Sequence, residues 1–253
     1  VGAEQLTLSG SATLTNGILR NISGDNIWQG AIVLGAAERI NSDSGTLTLS
    51  GGITGTYALT VGGISNTTIS GIIATTTGTV IKDGTGTLTL SAENTYTGLT
   101  SLYAGTLAYG CNDALYTGNV NIYNGIFDTG AFNETNIGTL TLYAGTITGA
   151  ADHYIISTAA YAVQSGTISA VLAGAVGLTK SSTGTVVITS ANTYTGVTTI
   201  SAGNLSVSSL ADGGVSSNIG ASTNAASNIV IANTGVLLYT GGAVSTDRLF
   251  TYS

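Results

Sequence analysis

The chain has 253 residues, a net charge of −7, only 7% charged residues, 37 Gly, no Pro, no Met and a single Cys. At 43% apolar it is too hydrophobic and too weakly charged to be intrinsically disordered. The lone Cys111 excludes a disulfide scaffold and thiolate metal clusters. The acidic balance argues against nucleic acid as a partner, and the longest mostly apolar stretch, residues 168–178, is too short for a membrane-spanning helix.

Apolar residues recur at every second position in short bursts. Leu6 and Leu8 (QLTLSG) come first, followed by Leu47 and Leu49 (GTLTLSG), then Leu88 and Leu90 (GTLTLSA). Leu107, Leu140 and Leu142 (GTLTLYAG), Val186 and Ile188 (GTVVITS) and Leu205 continue the series. Period two with Thr on the alternate face predicts half-buried strands. No stretch has a 3.6-residue period, and abundant Gly opposes helix. The fold class read from this pattern is all-β, with the named Leu, Val and Ile facing inward and the Thr outward.

Internal repetition is strong. Residues 82–108 (KDGTGTLTLSAENTYTGLTSLYAGTLA) align without a gap at an offset of 98 with residues 180–206 (KSSTGTVVITSANTYTGVTTISAGNLS). A weaker copy of the strand, without NTYTG, occupies residues 44–52. Ile69-Ser70-Gly71-Ile72 before the first copy also matches Ile168-Ser169-Ala170-Val171 before the second, so the repeat reaches beyond its core. Asn-Gly and Asp-Gly pairs do not join neighbouring strands systematically, which disfavours a sandwich or up-and-down barrel. Short strands, small corner residues and Ser/Thr/Asn stacking instead predict a parallel β-solenoid over residues 1–253, one continuous domain. Coils of ~20–25 residues give about ten to twelve turns and a rod of about 50–60 Å. The 98-residue offset then spans about four coils, with Asn94, Tyr96 and Gly98 matched by Asn192, Tyr194 and Gly196 at structural turns.

The run from Gly84 to Leu107, with its second copy ending in SAGNL, resembles the autotransporter-associated β-strand repeat, also called the passenger-associated transport repeat. Residues 161–180 resemble the lead-in to that repeat in large bacterial surface proteins, and residues 210–253 are similar to a second segment of such proteins. The resemblance implies a right-handed parallel β-helix, exported by type V secretion and displayed outside the cell. Without a translocator barrel in residues 1–253 and with no leader at Val1, the expectation is a passenger portion.

Catalysis in a β-solenoid would need carboxylates sharing a face. The twelve acids are scattered beside Gly, Asn and Ser, as solvated corner residues would be. Asp128, Glu134, Asp152 and His153 would share a face only if a coil had about 24 residues. His153 is the sole His, and G-x-S-x-G is absent, so neither a metal site nor a nucleophile elbow is predicted. Lys82 and Lys180 occupy equivalent repeat positions, which favours a structural place at a corner, and Cys111 reads as a small buried or corner residue. Thr46/Thr48, Thr87/Thr89 and Thr139/Thr141 form T-x-T pairs of the kind that order water on flat solenoids. Their spacing is irregular, which disfavours ice binding.

Tyr103, Tyr109, Tyr116, Tyr123 and Tyr143 cluster in one stretch and mark a candidate contact surface, since Tyr is enriched where proteins meet partners. The functional expectation is a non-catalytic, extracellular or cell-surface protein without cofactors: a stalk, an adhesin passenger or a fibre subunit. Its partners would be further copies of itself or a cell-surface glycan or protein, with no nucleic acid and no membrane insertion by this segment. A carbohydrate-active β-helix enzyme is the alternative.

Overall fold

A computed structural model describes residues 3–10 and 16–253; Val1 lies outside them. Every pairing between named strands is parallel, and strands stack coil upon coil as a β-solenoid of about twelve turns. Among the described residues no α-helix forms, and one short 3₁₀ turn covers Ala226–Asn228. At about 4.8 Å between neighbouring strands, the rod is about 55 Å long.

Each coil has up to three sides. The first side carries strands such as Leu59–Gly62, Val80–Lys82, Thr100–Leu102, Val120–Ile122 and Leu140–Leu142. The second carries Thr87–Leu90, Thr106–Tyr109, Ile126–Asp128 and Thr146–Thr148. The third is interrupted. It holds a four-stranded sheet ending at Ile73–Ala74, and later a three-stranded sheet from Glu134–Ile137 to Val171–Ala173.

Most coils take 20 or 21 residues, as in Val80 opposite Thr100 and Thr100 opposite Val120. The coil from Tyr161 to Leu178 takes 17. The 98-residue repeat offset therefore spans five coils rather than four, because four of those coils lie at the short end of the expected range and the fifth falls below it.

Alternation builds the core. Leu88, Leu107, Phe127, Ile147, Ile168, Ile188 and Val207 form one continuous inward file along the second side. All are at most 1% exposed, so each contributes roughly 1.5–3 kcal/mol of burial. Leu90, Val186 and Leu205 are equally buried, as the sequence period requires, while Thr87, Thr89 and Thr106 stay partly exposed. Between the first and second sides the chain turns through a column of glycines. Gly105, Gly125, Gly145 and Gly166 all have positive φ. A Cβ on Gly125 would lie 2.5 Å from the Gly105 carbonyl oxygen, and one on Gly145 would run into that of Gly125. The corner thus demands Gly for both dihedral and space.

Candidate functional site

The two repeat copies place the same four polar side chains inside the rod. Lys82 and Lys180 lie not at a corner but in an inward file, level with Val61, Leu102, Ile122, Leu142, Val163 and Ile200. Their phase in VIK and LTK, two residues after the inward Val80 and Leu178, makes that orientation legible in retrospect. The corner is reached only by the ammonium groups. Lys82 Nζ donates to the carbonyls of Asp83 (2.7 Å), Gly84 (2.8 Å) and Ala104 (3.1 Å). Lys180 Nζ donates to Ser182 O and to Ala202 O (2.9 Å). Burial brings the Lys82 pKa down to about 8, opposed by Asp83, and burial also lowers that of Lys180.

Asn94 and Asn192 act as substitute peptide units. Asn94 Oδ1 accepts from Ile73 N–H (2.7 Å) in the preceding coil, and its Nδ2 donates to Ala114 O (2.6 Å) in the following one. Asn192 repeats this with Leu172 N–H (2.8 Å) and Asn218 O (2.9 Å). Both side chains are buried, and in both copies the Asn follows the last strand of a third-side sheet. A primary amide carries one acceptor and two donors, so it can satisfy the sheet's last edge and pass the ladder to an irregular coil.

Tyr96 and Tyr194 point into the core, 1% and 0% exposed, where their hydroxyls bond Thr100 Oγ1 (2.7 Å) and Thr198 Oγ1 (2.8 Å). Burial raises both phenol pKa values well above the ordinary one. Gly98 and Gly196 sit where a Cβ would collide with Gly78 O and with the Val176 carbonyl carbon, respectively. NTYTG is therefore an interior tie on the third side rather than a projecting turn.

The five clustered tyrosines separate into three environments. Tyr103, Tyr123 and Tyr143 come just after successive first-side strands and stack on one another, with ring centroids 4.6 and 4.7 Å apart and planes within 7°. Tyr116 is exposed elsewhere, beside a groove of about 280 Å³ lined by Glu93, Asp113, Leu115 and Thr135. Tyr109 is buried, packs edge-on against Phe127 and donates to Glu134 Oε2 (2.7 Å), so it cannot belong to a contact surface. Its position in the inward phase of Thr106–Tyr109 is the signal that separates it from the others.

The acids also sort differently from a set of solvated corners. Asp128 lies on the outer face of the second side, accepting from Thr148 Oγ1 and Gly130 N–H. Glu134 is 0% exposed, its carboxylate bonded by the Tyr109 hydroxyl, Leu115 N–H (3.2 Å) and Asn136 N–H (3.3 Å). Burial raises its pKa to about 7, against the lowering effect of those hydrogen bonds. Glu38 is likewise buried, accepting from Gly10 N–H. Asp152 is exposed and His153 half-buried in the next coil, so with coils of 20–21 residues the four groups do not converge. Among the described residues no three His, Cys, Asp or Glu side chains are arranged to hold a metal ion. Cys111 is half-buried, its thiol pKa raised by that burial. Of the T-x-T pairs, Thr46/Thr48 and Thr87/Thr89 share the second side, where Thr48, Thr68 and Thr89 stack. Ala108 and Asp128 then interrupt that file before Thr148, and Thr141 lies on the first side.

Arg248 was invisible to sequence reasoning. Its guanidinium is buried and donates to Ala211 O, Ser222 Oγ, Asp212 O, Val215 O and Gly220 O at 2.8–3.3 Å. It fastens the residues that lengthen the coil between Thr198 and Ile229 to 31 residues.

In both copies the interior Lys and Asn side chains join adjacent coils of the parallel β-solenoid, and the Tyr–Thr pair closes within one coil. The family model described as the passenger-associated-transport-repeat matches residues 80–108 and 178–207, the two segments that supply these ties. Those two segments are similar to the passenger-associated transport repeat, and repeat and fold together are consistent with an autotransporter passenger. No curated protein and no solved structure matches it.

Proposed function

We propose that the chain serves as a non-catalytic rod in an exported bacterial surface protein, holding coils in fixed register and meeting partners along its flanks. The observation that carries this reading is the placement of Lys82, Asn94, Tyr96 and Thr100, and of their counterparts in the second copy. Every one of these groups is turned inward, the Lys and Asn onto a neighbouring coil and the Tyr and Thr onto each other, where no substrate reaches them. The sealed carboxylate of Glu134 supports the same reading. Its raised pKa would suit a general acid, yet its side chain is occupied by Tyr109 and two backbone N–H groups. A rod of about 55 Å gives reach, and outward Tyr and Thr give the flanks polar and aromatic contact points. The partners this favours are copies of the chain itself or a cell-surface glycan or protein.

Two measurements test the proposal. Antibody labelling and protease shaving of intact cells should find the chain outside the cell. Electron microscopy of the purified chain should show rods of about 55 Å or filaments built from them. Recovery of the chain only from cytosolic fractions, or turnover of a polysaccharide panel lost on Glu134→Gln, would reject it.

A further inference from the structure

The stack of Tyr103, Tyr123 and Tyr143 is chemically distinct from the other tyrosines. The interior rings of Tyr96, Tyr109, Tyr161 and Tyr194 are buried with their hydroxyls engaged. Tyr57, Tyr116, Tyr154 and Tyr252 are exposed but have no stacked aromatic neighbour among the described residues. Only the 103–123–143 column combines solvent access with near-parallel rings one coil apart. Tyr103 is 47% exposed and the other two half-buried, so their ring edges meet water while their faces cover each other. Tyr123 has both faces covered by rings and cannot stack on a sugar. Near-parallel stacking at 4.6 and 4.7 Å sets the ring edges of adjacent tyrosines side by side.

We propose that this column is a site of oxidative crosslinking, in which neighbouring tyrosines couple into dityrosine and staple adjacent coils together. The co-reactants are hydrogen peroxide and a haem peroxidase acting as a one-electron oxidant. Each of two phenols loses one electron and its hydroxyl proton, giving two phenoxyl radicals. Their ortho carbons form one carbon–carbon bond, and the two ortho hydrogens move to the oxygens as the rings regain aromaticity. The two electrons and two protons reduce one peroxide to two waters, so the sum is two tyrosines and one peroxide giving one dityrosine and two waters. Burial of the backbone in a rigid parallel ladder holds the pair in place while both radicals form. Tyr123 is the shared member, since Tyr103 and Tyr143 are two coils apart and are separated by its ring.

The test treats dilute purified protein with peroxide and a haem peroxidase, then reads dityrosine fluorescence, gel mobility and mass-mapped peptides. The expected product is a monomeric chain that has lost two hydrogens, with the crosslink joining Tyr123 to Tyr103 or Tyr143 and a yield independent of protein concentration. Tyr123→Phe should abolish this intramolecular product while circular dichroism shows the β fold retained. Tyr143→Phe should leave the 103–123 product. Crosslinks that map to Tyr57, Tyr116, Tyr154 or Tyr252, yields that rise with concentration as covalent dimers, or an unchanged product in Tyr123→Phe would each overturn the proposal. Should Tyr123→Phe fail to fold, the peptide map of the wild-type chain decides alone.

Discussion

The two repeat copies are nearly superposable in chemistry yet differ in the segments downstream of them. Each ends a third-side sheet with an Asn amide, and each is succeeded by an irregular stretch. After the first copy, residues 110–118 are fastened from the next coil by Glu134, through Tyr109 and Leu115. After the second, Asn218 does the fastening, accepting from Ser208 and Ser209 N–H (both 2.7 Å) and donating to Ser190 O (2.7 Å), while Arg248 holds Val215 nearby. The Lys–Asn–Tyr–Thr tie is thus indifferent to its neighbours, while the fastener downstream is free to vary. One fastener titrates near neutral pH and the other does not.

The largest expected effect breaks what the copies share. Asn94→Ala strands Ile73 N–H and the Ala114 carbonyl in the interior, and Asn192→Ala does the same to Leu172 and Asn218. At about 1–3 kcal/mol for each unsatisfied group, either change should cost roughly 2–6 kcal/mol in urea unfolding. Equal losses from both would show that the tie is autonomous.

The next effect separates the copies. Because the folded pKa of Glu134 is raised to about 7, the folded state keeps its proton where the unfolded chain has lost it. Stability from this group is full below the unfolded value and is lost as pH rises from about 4.5 to about 7, by ~3 kcal/mol. Glu134→Gln should flatten that slope, whereas no change at Asn218 should affect it. Denaturation midpoints measured across this pH range decide the matter.

Smaller effects come from single hydroxyls and surface charges. Tyr96→Phe leaves the buried Thr100 hydroxyl without its partner and should cost about 1–2 kcal/mol in thermal or urea unfolding, and Tyr194→Phe should cost less because Thr198 Oγ1 still donates to Ile219 O (3.4 Å). On the outer surface, Arg39 pairs with both oxygens of Asp83 (2.6 and 2.7 Å), reaching across Gly62. A Cβ on Gly62 would meet the ends of those two flexible side chains, so Gly62→Ala should displace the ion pair and cost under about 1 kcal/mol, less still in high salt.

Much of this architecture was legible in the sequence. Period-two Leu and Thr placed Leu88, Leu90, Val186 and Ile188 inside, and the 98-residue offset found both ties. The fates of Glu134 and Arg248 were not readable, because residue type sets only a tendency toward burial. A charged or polar group enters a core when partners remote in sequence await it. Glu134 meets Tyr109 from 25 residues away, and Arg248 meets Ala211 from 37. Lys82 and Lys180 are the intermediate case: their inward phase was written in VIK and LTK, but residue type alone assigns an ammonium to a solvated corner. Coil length was not legible to within a few residues, because short strands constrain phase and leave the length of the connections open.

Since the bonds joining coils run along the rod, tension applied to its ends loads all the ladders of one coil boundary together and successive boundaries in series. The boundary with the sparsest ladder then gives way first. Third-side strand pairing is missing just beyond Asn94 and Asn192, so those boundaries rest on the first- and second-side ladders and the Asn amides. A coil of 20 residues that peels away supplies up to about 70 Å of extended chain, in place of the ~4.8 Å it occupied in the stack. The same interruptions that make the solenoid irregular would let a pulled rod lengthen in steps while its stitched blocks stay folded.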